Sequence, residues 1–175
     1  LKFSLNHHAK YQMKRFPVVL AVILLVTQNL VGKGFKDYSP SQLYQVLCQV
    51  NGEWKKKPEM ANQVYSPFDD FAEENLLRTH LLLVEQFLRA NPPVGLTPMQ
   101  IERRLHHLDV LNAYWKAGKF PNNPDFAERT PYFIGENGNF CAVGHLMWQD
   151  GQEAIVKLIE REINNAYVRE IPYSE

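Results

Sequence analysis

The sequence predicts a mainly α chain, an α+β fold in which a compact helical domain carries one small β-hairpin. Three observations lead there. Three helix starts are written in the same chemistry, Ser39-Pro40-Ser41-Gln42, Ser66-Pro67-Phe68-Asp69 and Thr97-Pro98-Met99-Gln100. Each places a hydroxyl at the N-cap, proline at the first helical position and an acceptor side chain at the third. Behind the second and third starts, apolar residues recur at helical spacing. Finally, Asn137-Gly138 is the preferred pair for a two-residue type I′ turn.

The first helix is expected over 40–50. The second is expected over 67–90, with Leu77, Leu81, Val84 and Leu88 forming a stripe that Leu76, Leu83 and Phe87 widen, and it should stop at Asn91-Pro92-Pro93. A third helix over 98–117 carries Ile101, Leu105, Leu108 and Trp115 on one face, and Gly118 supplies its left-handed stop. Residues 119–131, rich in proline and asparagine, form a loop. The hairpin spans 132–141; its turn sets Glu136 opposite Asn139, Gly135 opposite Phe140 and Ile134 opposite Cys141. A last helix covers 142–164, broken near Asp150-Gly151, and 166–171 is expected as a third short strand.

The first 34 residues read as something other than this domain. Met13-Lys14-Arg15 is a positive segment before an apolar run of eleven residues, 16–26. Such a run is well short of the roughly 20 residues a membrane-crossing helix needs, and it matches the apolar region of a signal peptide. Gly32-Lys33-Gly34 offers a small-x-small cleavage point. The expectation is upstream residues and a signal peptide over 1–34, with translation starting at Met13. A single globular domain over 35–175 would then be exported, periplasmic or extracellular, with no membrane span in the mature chain.

Charge narrows the function classes. The chain carries 19 Lys and Arg against 19 Asp and Glu, but residues 1–34 hold five of the bases and none of the acids. Residues 35–175 therefore carry 14 bases against 19 acids, a net charge of −5. A nucleic-acid binder should be basic where it folds, so that class is excluded. The Lys55-Lys56-Lys57 run reads as a solvated loop face.

Cys141 is the first candidate for chemistry. It leaves the hairpin and enters a helix, and a helix N-terminus lowers a thiol's pKa toward the range of a nucleophilic thiolate. His145, four residues on, lies one turn along. Two other readings stand beside this one. Cys141 is equally read as a small core residue, or as the partner of Cys48, the only other cysteine, in a disulfide. His80 is the second candidate, because it falls near the middle of the second helix's apolar arc, with Glu73 seven residues earlier on the same line. A buried imidazole and carboxylate must find partners, as an acid–base pair, as ligands of a metal, or with the histidine satisfied in the core by a backbone carbonyl. Arg129, Tyr132 and Asn122 are candidate binding residues, placed to line a polar cleft beside the hairpin; the competing reading has Arg129 tying the loop to a helix C-terminus. His106-His107 reads as solvated surface, with Asp109 beside His106. No HExxH, CxxC, phosphate-loop or GxSxG motif occurs, so neither a metal nor a cofactor is expected.

The segments LDVLNAYWKAGKFPNN, RTPYFIGENGNFCAVGHLM and NNAYVREI together resemble a family of exported bacterial proteins of unknown function, marked by a hairpin running into Cys-Ala-Val-Gly. The resemblance covers about 75–171, and Cys141-Ala142-Val143-Gly144 is its most specific part. It implies export, one compact domain and further chain beyond Glu175, and it implies no activity. Family members commonly carry tyrosine where this chain has His145, which weakens any mechanism built on that imidazole. The reading that results is an exported helical domain acting as a binding or envelope-associated accessory protein for an unknown ligand or envelope partner, with its recognition surface at the hairpin–helix junction. The alternative is a small thiol-dependent hydrolase or transferase, with Cys141 as nucleophile and His80, or else His145, as base.

Overall fold

The computed structural model describes residues 38–171, except Phe71 and the side chain of Val168. The expected signal peptide, its Met13 start and any continuation past Glu175 lie outside the described residues. Five α-helices run α1 Pro40–Val50, α2 Glu73–Ala90, α3 Pro98–Ala117, α4 Ala142–Gln149 and α5 Glu153–Ile163, with 3₁₀ turns at Gly52–Lys56, Pro58–Asn62 and Val168–Glu170. The described residues contain no β-sheet, so the fold is mainly helical and the expected hairpin and third strand are not present as such.

Two of the three expected helix starts hold. Ser39 and Thr97 each accept the amide of the third helical residue, and Gln42 and Gln100 reach back to the cap amides at 2.9 Å, closing both capping boxes. The third start fails. The Ser66 hydroxyl lies 2.7 Å from the buried Thr79 hydroxyl and accepts the Phe68 amide at 3.2 Å, so it anchors the incoming chain to the middle of α2. Asp70 orders the turn before the helix, accepting from the Ala72 amide at 3.0 Å and from the Asn75 side chain at 2.6 Å, and α2 begins six residues late at Glu73 without a side-chain cap.

α1 buries Leu43 and Leu47 against Trp54, Val64, Leu76 and Leu83, and this first core joins α1, the 3₁₀ turns and α2. Tyr44 donates to the Trp54 carbonyl at 2.8 Å and fixes the turn on the helix. In the charge run read as solvated, Lys56 pairs with Glu53 at 2.8 Å and Lys57 lies over the Phe87 ring.

α2 and α3 form an antiparallel pair, since partners climb α2 as they descend α3. Glu85 meets Asn112 and Trp115, Arg89 meets Asp109, and Arg104 donates to the Leu88 carbonyl. Glu85 is only 4% exposed. Burial pushes its pKa up, but N–H donors from Trp115 (2.6 Å), Asn112 (2.8 Å) and Arg89 (2.8 Å) outweigh that, and it is held below the ordinary value. Gly118 ends α3 in the left-handed region, φ +68°. The expected apolar face of α3 is buried only in its second half; Ile101 and Leu105 stay about half exposed. Arg89 and Leu88, the α2 residues that reach toward the start of α3, meet Asp109 and Arg104, and α2 ends at Ala90.

The turn over 135–139 closes one residue out of the expected register. The Gly138 amide donates to the Gly135 carbonyl at 2.8 Å, which makes Glu136 and Asn137 the central pair, and Gly138 takes φ +73°. Type I′ needs positive φ at both central residues, and Asn137 does not have it. The result is a turn followed by a left-handed glycine, and Ile134 faces Phe140 in one isolated antiparallel bridge. Asn164 then fills the position of the missing strand. Its backbone carbonyl accepts the Phe133 amide at 2.8 Å, and its side-chain amide exchanges two bonds of 2.9 Å with the main chain of Ile134. Residues 166–171 continue as a turn and a 3₁₀ segment, in which the Glu170 side chain accepts the Tyr167 amide. Phe133, Ile134, Val156 and Ile159 make a second core against α4 and α5, and Gly151, φ +76°, breaks those two helices where the sequence placed the break.

Candidate functional site

Cys141 is the N-cap of α4: its sulfur accepts the Gly144 amide at 3.3 Å while its own amide donates to the Phe133 carbonyl at 2.8 Å. It packs against the second core, and burial pushes the thiol's pKa up, further than the Gly144 and Val143 amides pull it down. Desolvation of the thiolate thus opposes the activation expected from the helix terminus. Tyr114 donates to the Phe140 carbonyl at 2.7 Å beside it, and burial, reinforced by Cys141, raises that hydroxyl's pKa well above the ordinary tyrosine value. His145 lies against the Tyr114 ring, 4.9 Å between centroids, and burial lowers its pKa. Among the described residues no hydrogen bond joins the Cys141 sulfur to His145 or His80. The disulfide is not formed either; Cys48 and Cys141 are both free, and they pack against different cores.

His80 is satisfied within the fold as the core-histidine reading expects, but by a side chain and not by a backbone carbonyl, and it is only partly buried. Its Nδ1 accepts the Trp54 indole N–H at 2.9 Å, which leaves the neutral ring's proton on Nε2. Burial, and then the charge of Arg129, lower its pKa to about 4, so it is a poor base near neutral pH. Glu73 is not paired with His80. It receives both arms of the Arg129 guanidinium, at 2.6 and 2.7 Å, and so ties the loop to the N-terminus of α2 rather than to a helix C-terminus. Tyr132 is buried and donates to Asp125 at 2.6 Å. Asn122 is exposed on the same loop, and its neighbour Asn123 holds the loop closed by donating to the Glu128 carbonyl at 2.6 Å. Glu73, Arg129 and Tyr132 thus pair within the protein, and none of the four expected binding residues lines a groove described below.

A groove lies instead between α3 and α4. Leu108 and Leu111 of α3, Leu146 of α4 and Leu88 of α2 form an apolar floor, and Arg103, Arg104 and His107 stand at its rim, enclosing about 350 Å³. Asp150, which caps the end of α4, accepts from Arg103 at 2.6 Å and from His107 at 2.9 Å, and those bonds lower its pKa to about 2. His106 and Asp109 are exposed, as the surface reading expects, but Asp109 pairs with Arg89 and not with His106, and the partly buried His107 is bound to Asp150. Sequence reasoning missed the groove because its floor comes from three helices. The one local signal is the 103, 104, 107, 108, 111 spacing, which puts cations and leucines on one face of α3. A more open depression of about 710 Å³ on α1, lined by Tyr44, Gln45, Cys48, Gln49 and Lys55, has no comparable floor. Among the described residues no cluster of three or more His, Cys, Asp or Glu side chains could hold a metal ion, and no helix is long and apolar enough to cross a membrane.

Comparison with protein-family models, with curated proteins and with solved structures gives no match.

Proposed function

We propose that the chain is a binding or envelope-associated accessory domain, exported by its N-terminal segment, whose recognition surface is the groove between α3 and α4 rather than the turn that feeds α4. The observation that carries this is the state of the reactive side chains. Cys141, His80, Glu73, Arg129 and Tyr132 are each engaged within the chain, whereas the groove between α3 and α4 keeps an open apolar floor, with Arg103 and His107 held at its rim by Asp150. The resemblance around Cys141-Ala142-Val143-Gly144 supports export and adds no catalysis. A thiol-dependent hydrolase or transferase draws no comparable support, since it needs a lowered thiol pKa and an imidazole on the sulfur.

Thiol labelling across pH 5–9, read by peptide mass spectrometry so that Cys141 and Cys48 are separated, tests the proposal. Cys141 should label slowly at pH 7, with an apparent pKa above the ordinary thiol value of about 8.5. Fast labelling at pH 6 would replace the binding domain with the thiol enzyme.

A further inference from the structure

We infer that the groove between α3 and α4 binds a single-chain anionic amphiphile, an acyl chain with a carboxylate or phosphate head. The inference rests on the binding-domain reading and names its ligand class. Its first basis is the division of the lining. Leu88, Leu108, Leu111 and Leu146 offer a continuous apolar floor, and the lining contains two guanidinium groups and no carboxylate. Asp150 is the acid in contact with that rim. Counted with Arg103 and Arg104 it leaves one net positive charge, with His107 adding more when protonated. A chain of methylenes gains about 0.8 kcal/mol for each group taken out of water, and a guanidinium orients an anionic head through paired N–H donors.

The lining chooses between this ligand and a partner helix: four leucines with two guanidinium groups and no carboxylate match an apolar chain that ends in an anionic head. Charge makes the preference diagnostic. Residues 35–175 carry 14 bases against 19 acids, so non-specific attraction favours a cation. Selection of an anion has to come from the local rim.

The test is a calorimetric titration of the purified chain with dodecanoate below its micellar range, beside dodecyltrimethylammonium, which has the same chain length and the opposite charge. The expected result is saturable one-to-one binding of dodecanoate and at least tenfold weaker binding of the cation. Arg103→Gln alters an exposed side chain and should weaken dodecanoate about tenfold. Leu146→Trp, which fills the floor, should abolish it while Tm confirms folding. Flotation with phosphatidylglycerol vesicles and not with phosphatidylcholine vesicles would place the amphiphile in a bilayer; dodecanoate binding without flotation would make it a free molecule. Equal affinity for the cation, or dodecanoate binding untouched by both variants, overturns the inference. So does displacement of dodecanoate by a 15-residue acidic amphipathic peptide at lower concentration, which would make the occupant a helix. Failure on these arms with Cys141 still labelling as a buried thiol removes the ligand class and leaves the binding domain standing. Fast labelling at pH 6 removes both.

Discussion

Replacing Glu85 gives the sharpest test of how the helices are held. Its two carboxylate oxygens divide the donors between them. Oε1 accepts from Arg89 Nε at 2.8 Å and from Asn112 at 3.1 Å; Oε2 accepts from Trp115 Nε1 at 2.6 Å and from Asn112 at 2.8 Å. Glu85→Gln turns one oxygen into an NH₂ group. Whichever way the amide is placed, that NH₂ points at a donor, the guanidinium in one orientation and the indole in the other. At least one charge-assisted bond is lost, and a buried donor is left unpaired, for a cost of about 2–3 kcal/mol. Glu85→Ala loses all of them and opens a hole, for about 4 kcal/mol, a large share of the 5–15 kcal/mol a domain usually has. Urea unfolding followed by tryptophan fluorescence reads both, since Trp115 is itself a partner. With a slope of about 2 kcal/mol per molar, the midpoints should fall by about 1 M and 2 M. The pH dependence has a definite sign. Glu85's pKa is lowered in the fold, so its stabilisation is complete above the unfolded value of about 4.3 and fades as pH drops below it. Wild type and Glu85→Gln should therefore converge in acid. A Glu85→Gln midpoint within 0.2 M of wild type at pH 7, or a gap that widens in acid, would refute the carboxylate as the lock between α2 and α3.

His80 should titrate near pH 4 in the folded protein by NMR, and Arg129→Met should raise that value because it removes a neighbouring positive charge. The neutral ring is favoured by folding, so stability should fall as pH drops from about 6.5 toward 4, by up to about 3 kcal/mol; a His80 titration near 6.5 would contradict its burial against Trp54. Gly118→Ala should lower Tm by about 5 °C, since φ is +68° and the new methyl would collide with the Arg78 guanidinium and the Glu74 carboxylate, displacing their ion pair; an unchanged Tm would show that the α3 terminus relaxes freely.

What the sequence could reveal tracks how local each determinant is. The caps at Ser39 and Thr97 are legible because hydroxyl, proline and glutamine act within four residues. Ser66 carries the same signature and fails, because Thr79, thirteen residues on, claims its hydroxyl. In the turn, Asn137-Gly138 competes with a frame one residue earlier. The earlier frame wins by needing a left-handed conformation only at glycine. The position of Cys141 at a helix start was readable, but the sign of its pKa shift was not, since burial depends on Phe133, Val143 and the helices behind them. His80 is partly buried on the helix face where the apolar arc placed it, while its partner Trp54 lies 26 residues upstream in a segment with no periodic pattern. The α3–α4 groove needs Leu88, Leu108 and Leu146 side by side, and nothing in the linear order brings them together.

Asn164 has a consequence for association between copies of the chain. Tyr132-Phe133-Ile134 is an aromatic and β-branched run of the kind that pairs readily with another extended chain. A strand laid beside it would satisfy it and then offer its own outer edge to the next molecule. A side-chain amide has no outer edge to offer: Asn164 occupies both polar groups of Ile134, its backbone carbonyl takes the Phe133 amide, and Cys141 takes the Phe133 carbonyl. The ladder is ended by a residue that cannot extend it. Replacing Asn164 by leucine would leave both polar groups of Ile134 without these partners, in a chain whose described residues contain no other extended pairing.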